Sequence, residues 1–198
     1  MLPDEVLPTI FYFCAVGDPY VQKDAWWRSL VHVCRQWRSV IFGSPRRLNL
    51  RLFCTPGTPR DTLDVWLAFP LIISTYSCMT EDLDKLIALL ERGDRVCQID
   101  LMGTQSPHHL EELLVAMQKP FPQLTYLRLW SLYMAPVVPD SFMGGSAVSL
   151  RELWLDRVEF LGLPKLLLSA TNPVFFNWLE FPIPGTFHPR KWSLPSPR

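Results

Sequence analysis

The chain offers few side chains at the spacing of a catalytic site. Its four histidines are His32, His108, His109 and His188. None lies in a G-x-S-x-G, papain-like cysteine or H-E-x-x-H pattern, the contexts that hold a nucleophile, a base or a zinc ion. Gly144-Gly145 lacks the lysine and third glycine of a phosphate-binding loop. We therefore predict a protein that is not an enzyme and that needs no cofactor.

Metal-ligating residue types are present without metal-ligating spacing. His108-His109 precedes Glu111-Glu112, and this pattern is typical of the solvated start of a helix, since no further ligand follows at the spacing of a structural site. The five cysteines lie about twenty residues apart without a C-x-x-C pair. That usage favours free thiols in a reducing compartment, so we expect a cytoplasmic or nuclear protein with no metal.

Charge and hydropathy exclude several kinds of partner. Lysine plus arginine and aspartate plus glutamate both number 19, so no net field attracts nucleic acid or an anionic membrane. The basic cluster Arg35, Arg38, Arg46, Arg47 and Arg51 is interpreted as a solvated face. No apolar run approaches the ~20 residues of a membrane span. Acids stand near the amino end where a signal peptide would be cationic, so no leader is expected.

The first fifty residues have the pattern of short amphipathic helices. Proline at position 3 and acids at 4 and 5 favour a helix start, and apolar residues from Val6 to Cys14 recur at three- and four-residue steps. Asp24 is a suitable N-cap for a second helical stretch. That stretch carries Trp27, Leu30, Cys34 and Trp37 on one side and ends near Gly43.

This segment resembles the F-box, particularly that of the large families of mushroom-forming fungi, with Leu2-Pro3-x-Glu5-Val6-Leu7-x-x-Ile10-Phe11 followed by Leu30-x-x-Val33-Cys34-x-x-Trp37. The resemblance implies a helical module that docks onto the Skp linker subunit of an SCF ubiquitin ligase. By the same resemblance, the Skp contacts are Leu2, Pro3, Val6, Leu7, Ile10, Phe11, Val33, Cys34 and Trp37.

Behind this segment the sequence repeats. L-x-x-L-x-L patterns begin at Leu124, Leu150 and Phe176 with intervals of 26 residues, and Val96 begins another one 28 residues earlier. Helical patterns lie between them, and such spacing resembles leucine-rich repeats. The usual asparagine after each motif is absent, so we expect no regular loop ladder and uneven crossover elements. The resemblance implies an α/β fold, an irregular solenoid with a parallel sheet.

The predicted organisation has three parts: an F-box over residues 1–47, a repeat array over 48–181, and a proline-rich, disordered tail over 182–198. Strand alternation places every second side chain of the array on a concave face. Trp, Tyr and Arg dominate binding energy at protein interfaces. The predicted substrate-binding residues on this face are Asp100, Tyr126, Arg128, Trp130, Glu152, Trp154 and Trp178, although packing under loops would equally explain the tryptophans.

Together these resemblances imply a substrate-recognition adaptor of an SCF ubiquitin ligase. The F-box would bind the Skp subunit, and the repeats would bind a protein substrate marked for degradation. The alternative is a freestanding leucine-rich repeat scaffold without a ubiquitin role, including a truncated gene product. In that alternative the helical start would be buried as a cap on the array.

Overall fold

The computed structural model describes residues 6, 9, 30–43, 50–76, 79–104, 106–132, 137–172, 174–179 and 191–192. The chain divides into two compact units. The first comprises Met1–Phe53 and Thr58–Leu71, and the second Cys54–Gly57 and Ile72–Arg198. Five of the predicted Skp contacts lie outside the described residues, namely Leu2, Pro3, Leu7, Ile10 and Phe11.

The first unit contains two helices, α1 (Arg35–Gly43) and α2 (Arg60–Val65), and most of strand β1 (Leu52–Cys54). Ile41 of α1 is fully buried. The Phe42 ring stacks on Trp66 with centroids 4.8 Å apart, and Phe69 meets both rings edge-on. Offset and edge-to-face aromatic pairs stabilise beyond the apolar area that they bury. This aromatic cluster is therefore a local core of the first unit.

The second unit alternates strands with short crossover elements. In chain order these are β2 (Leu71–Thr75), α3 (Thr80–Leu90), β3 (Val96–Thr104), α4 (Pro107–Ala116), β4 (Tyr126–Ser131), a 3-10 turn (Phe142–Gly145), β5 (Glu152–Asp156), α5 (Leu163–Leu168), β6 (Phe175–Leu179) and β7 (Lys191–Trp192).

The strands are hydrogen-bonded in chain order from β1 to β7. Strands β1 to β6 run parallel, which confirms the predicted α/β class. Strand β7 is antiparallel and pairs Trp192 with Phe176. It falls inside the segment predicted to be a disordered tail, whose other residues lie outside the described part of the chain. No described helix is long and apolar enough to cross a bilayer.

The register of the inner strands follows the leucine motifs. Ile99 pairs with Leu127 and Leu127 with Leu153, giving intervals of 28 and 26 residues. These three side chains are completely buried. Parallel strands covered by crossover elements bury one row of branched residues, so the apolar row fixes the register. The predicted motifs at Val96, Leu124 and Leu150 are therefore confirmed as strands of one parallel sheet.

The register of β6 differs from the prediction. The 26-residue interval would align Phe176 with Leu150, whereas Phe176 pairs with Leu153, an interval of 23. Crossover α5 has only six residues, so the chain returns to the sheet earlier than the motif spacing predicts. Because side chains alternate along a strand, a shift of three residues exchanges the two faces.

The crossover elements are uneven, as predicted. Helix α4 has ten residues, whereas the next connection holds a four-residue 3-10 turn in which Met143 and Gly144 have positive φ. The amides of Met143 and Gly144 donate to the carbonyls of Met117 and Gln118 at the end of α4. Carbonyls in the last turn of a helix lack intrahelical donors. The left-handed turn supplies those donors from the following repeat.

Candidate protein-binding surface

One face of the sheet is partly open and carries polar and aromatic side chains. Along β4 the exposure alternates, with Leu127, Leu129 and Ser131 buried and the residues between them intermediate. We call this side the open face. By register and alternation it comprises Gln98, Asp100, Tyr126, Arg128, Trp130, Glu152, Trp154, Asp156, Phe175 and Asn177.

A row of four side-chain types crosses the middle of the open face. Asp100 pairs with Arg128, Arg128 with Trp154, and Trp154 with Asn177. Neighbouring strands lie about 4.8 Å apart, so these groups are within reach of one another. The row therefore presents an acceptor, a charged donor, an aromatic donor and an amide in sequence.

Asp100 is the least compensated charge on the open face. Partial burial raises the pKa of its carboxyl, and the Arg128 guanidinium opposes this rise without cancelling it. Its Oδ1 atom is buried and has no hydrogen-bond partner among the described residues. Desolvating a carboxylate is unfavourable unless it is paired or hydrogen-bonded. Asp100 therefore retains an unused acceptor.

Arg128 serves several neighbours at once. Its guanidinium donates a hydrogen bond to the Tyr126 side chain. Burial raises the Tyr126 pKa, the charges of Asp100 and Glu152 add to the rise, and Arg128 lowers it. One guanidinium thus offsets several acidic groups, and none of them has Arg128 to itself.

Asp156 is held at the end of β5 by an adjacent arginine. Burial raises the pKa of its carboxyl, with Arg157 and then Arg128 opposing the rise. The Arg157 Nε lies 3.9 Å from Asp156 Oδ1. Arg157 has φ of 58°, a left-handed conformation uncommon outside glycine. From there its Nη1 donates to the Leu132 carbonyl at 3.1 Å, which engages this second guanidinium.

Trp154 contributes an apolar ring and an unused donor. Its ring lies against Phe175 with centroids 5.5 Å apart. Its Nε1 atom is buried and, within the described residues, has no hydrogen-bond acceptor. A buried indole N–H usually finds a partner. Trp154 is thus poised to donate to a group that approaches the open face.

The structure brings together six of the seven predicted substrate-binding residues on the open face. These are Asp100, Tyr126, Arg128, Trp130, Glu152 and Trp154. Trp178 is the exception, because it pairs with Leu155 in the row that alternates with the open face. Its assignment to the binding face was wrong since it rested on the 26-residue interval. The prediction also missed Phe175 and Asn177, which stand in its place.

The described part of the predicted Skp-binding segment carries exposed apolar groups. The Val33 side chain is 58% exposed and Val6 is 40% exposed. Cys34 is an exposed free thiol, whereas Trp37 is half-buried. An exposed valine beside an exposed cysteine is accessible to a partner protein, and half-burial of Trp37 leaves part of its ring available. These four residues keep their predicted role as a hypothesis.

No protein-family model, curated protein or solved structure matches the chain. The interpretation of both surfaces therefore depends on their own chemistry. Aromatic rings interleaved with amide, guanidinium and carboxylate groups are suited to noncovalent recognition of polypeptide.

Proposed function

We propose that the chain is a substrate-recognition adaptor of an SCF-type ubiquitin ligase. The amino-terminal segment would dock onto the Skp linker subunit, and the open face would hold a protein substrate. Such an adaptor makes and breaks no bond. It raises the local concentration of the substrate near the ligase, which converts transfer into an effectively intramolecular event.

The single observation that carries the proposal is the composition of the open face. It exposes Tyr126, Trp130, Trp154 and Arg128 above a fully buried leucine row. Tyrosine, tryptophan and arginine are the residue types that most often dominate protein–protein binding energy. The core does not require them on this face, because the opposite row already supplies the apolar burial. Recognition of a protein accounts for them.

The docking half of the proposal rests on the resemblance of the amino-terminal motif to the F-box. The exposure of Val33 and Cys34 supports it, because a residue that contacts a partner must be accessible before the partner binds. Val6 gives the same support in the first half of the motif. A specific interface buries about 800 Å² on each partner, so a polar change at its centre should weaken it strongly.

The experiment is co-purification of the full chain with a recombinant Skp protein. We expect Val33→Asp to weaken the complex at least tenfold, because it buries an unpaired carboxylate in an apolar interface. Val148→Asp is the matched control, since Val148 also lies in a turn and is 48% exposed. This control variant should bind Skp as the wild type does, and both variants should unfold within about 0.5 kcal/mol of the wild type.

Two results would count against the adaptor. A folded wild-type chain that does not retain Skp contradicts the docking role and favours the freestanding repeat scaffold. A Val33→Asp variant that unfolds together with loss of Skp binding points the same way, because the side chain would then serve the fold. Val6→Asp repeats the test in the first half of the motif, where the side chain is 40% exposed.

A further inference from the structure

The open face is locally acidic although the chain as a whole is neutral. Lysine plus arginine balance aspartate plus glutamate at 19 each. On the three inner strands, Asp100, Glu152 and Asp156 face outwards with Arg128 as the one basic residue of their rows. The guanidinium of Arg157 lies beside Asp156. Asp100 and Glu152 are therefore left to share Arg128, which also bonds Tyr126.

Two buried polar atoms on this face lack partners within the described residues, and they are of opposite kinds. Asp100 Oδ1 can only accept when ionised, and Trp154 Nε1 can only donate. They stand in one row, on either side of Arg128. Two strand spacings separate their backbones by about 9–10 Å. A segment laid across the strands could satisfy both atoms at once.

We infer that the open face binds an extended, basic segment of a partner protein, which places a lysine or arginine side chain against the carboxylates of Asp100 and Glu152 and a backbone carbonyl against Trp154 Nε1. This inference rests on the part of the proposed function that assigns substrate binding to this face. It adds the chemical class of the substrate.

The choice of a basic segment follows from charge complementarity. An acidic segment would meet three carboxylates and a guanidinium already shared among them, and like charges across an interface are unfavourable. A neutral segment could satisfy Trp154 but would leave Asp100 desolvated and undercompensated, which is costly. Cationic side chains also interact favourably with the faces of tryptophan and tyrosine rings, here Trp130 and Tyr126.

The test uses three fluorescein-labelled twelve-residue peptides and the full chain. The first alternates lysine with serine, the second has the same lysines acetylated, and the third has glutamate in place of lysine. We expect the lysine peptide to bind at least fivefold more tightly than the acetylated one and the glutamate peptide to be the weakest. Binding should weaken with added salt, since exposed ion pairs are screened. Equal affinities, stronger binding of the glutamate peptide or no binding by folded protein would each overturn the inference.

A matched pair of variants locates the charge effect. Glu152→Gln should weaken the lysine peptide about three- to fivefold, the range for a partly exposed ion pair. Glu112→Gln makes the same change at an exposed residue of α4 and should leave affinity unchanged. If both variants weaken binding equally, the peptide senses only net charge and the inference fails.

Trp154→Phe tests the second contact, because it keeps an aromatic ring and removes the Nε1–H. We expect it to weaken the lysine and the acetylated peptides by the same factor, about three- to tenfold, as loss of one hydrogen bond would. Unchanged affinity would remove the backbone contact from the inference. Skp co-purification of the same variants separates the two proposals. Peptide discrimination without Skp binding refutes the ligase role alone, and Skp binding without discrimination refutes the basic substrate alone.

Discussion

The two faces of the sheet differ in what holds their side chains in place. On one face Leu127, Leu129 and Leu153 are completely or almost completely buried. On the other, Asp100 and Trp154 are half-buried with polar atoms that lack partners in the described structure. Full burial of a leucine stabilises by about 2–3 kcal/mol, whereas an undercompensated carboxylate destabilises. The first face therefore serves folding, and the second carries groups that folding alone does not account for.

The largest expected effect compares adjacent residues of β5. Leu153→Ala should lower the free energy of unfolding by about 3 kcal/mol, since it leaves a cavity in the core. Trp154→Ala removes a larger side chain, yet should cost only about 1 kcal/mol, because the half-exposed ring loses little beyond its contact with Phe175. Urea unfolding of both variants gives these values. Equal losses would show that the open face belongs to the core.

Gly103 marks where β3 stops pairing regularly, and a side chain there would disturb both faces. Its φ is +68°, and a Cβ atom would lie 2.7 Å from the Tyr76 carbonyl oxygen and 3.6 Å from the Trp130 ring. We expect Gly103→Ala to lower stability by about 2–3 kcal/mol, combining backbone strain with a steric clash.

Gly145 separates those two causes. Its φ is +72°, but the nearest atom to an added Cβ is the Asp140 carbonyl oxygen at 3.9 Å. Gly145→Ala should therefore lower stability by only about 1 kcal/mol, the strain of a left-handed residue. Thermal unfolding of both variants is the measurement. A loss at Gly145 as large as that at Gly103 would assign the whole effect to backbone conformation.

Sequence reasoning located the buried face well because leucine periodicity and burial express the same physics. The motifs beginning at Val96, Leu124 and Leu150 become paired strands whose apolar residues are buried. It failed at β6, where Phe176 and Leu179 matched the pattern in the wrong register. Both faces of β6 carry aromatic or apolar residues, so alternation did not distinguish them. The short helix α5 decided the register through chain length.

The open face could be predicted as a set of residues but not in its energetics. Alternation from the leucines is sufficient to place Tyr126, Arg128 and Trp130 together. Which carboxylate stays undercompensated depends on side-chain geometry across three strands, and no local pattern encodes that. Asp100 and Asp156 have the same residue type and both face outwards, yet only Asp156 has an arginine immediately after it.

The charge on the open face should be measurable as a cost to stability. The folded-state pKa of Asp100 is raised, so the folded protein holds its proton to higher pH than the unfolded chain does. The free energy of unfolding therefore falls as pH rises through the interval between the two pKa values, and the full penalty is present at neutral pH. Asp100→Asn removes this penalty.

We expect Asp100→Asn to stabilise the protein by about 0.5–1 kcal/mol at pH 7, as removal of an unfavourable charge commonly does. The gain should shrink as pH falls and vanish near pH 4, where Asp100 is protonated even in the unfolded chain. Glu112→Gln, on an exposed helix position, should show no such pH dependence. Urea unfolding at pH 4 and pH 7 decides the matter, and a gain that is the same at both values contradicts an undercompensated Asp100.

The ladder that joins successive repeats belongs to neither face and was missed because it does not use the expected asparagine. Polar side chains before the strands donate to carbonyls of the preceding repeat. Gln123 Nε2 donates to the Asp94 carbonyl at 2.6 Å, Ser149 Oγ to Pro122 at 2.6 Å and Thr171 Oγ1 to Val148 at 2.8 Å. Gln123 and Ser149 each precede a motif leucine. Alignment on these polar residues would have indicated Thr171 as the next step and an interval shorter than 26.

The smallest expected effect tests whether this ladder holds equally at both ends of the array. Ser149→Ala and Thr171→Val each remove one hydrogen bond at an exposed position, where the freed carbonyl can turn to water, so each should lower stability by about 0.5 kcal/mol. The backbone amide of Thr171 also donates to the Val148 carbonyl and remains in the variant. Thr171→Ser keeps the hydroxyl and serves as the control for lost methyl contacts. Native-state hydrogen exchange of the strand that follows each step is the sharper measurement, because a ladder bond that sets register should increase local opening of β5 or β6 beyond the change in global stability.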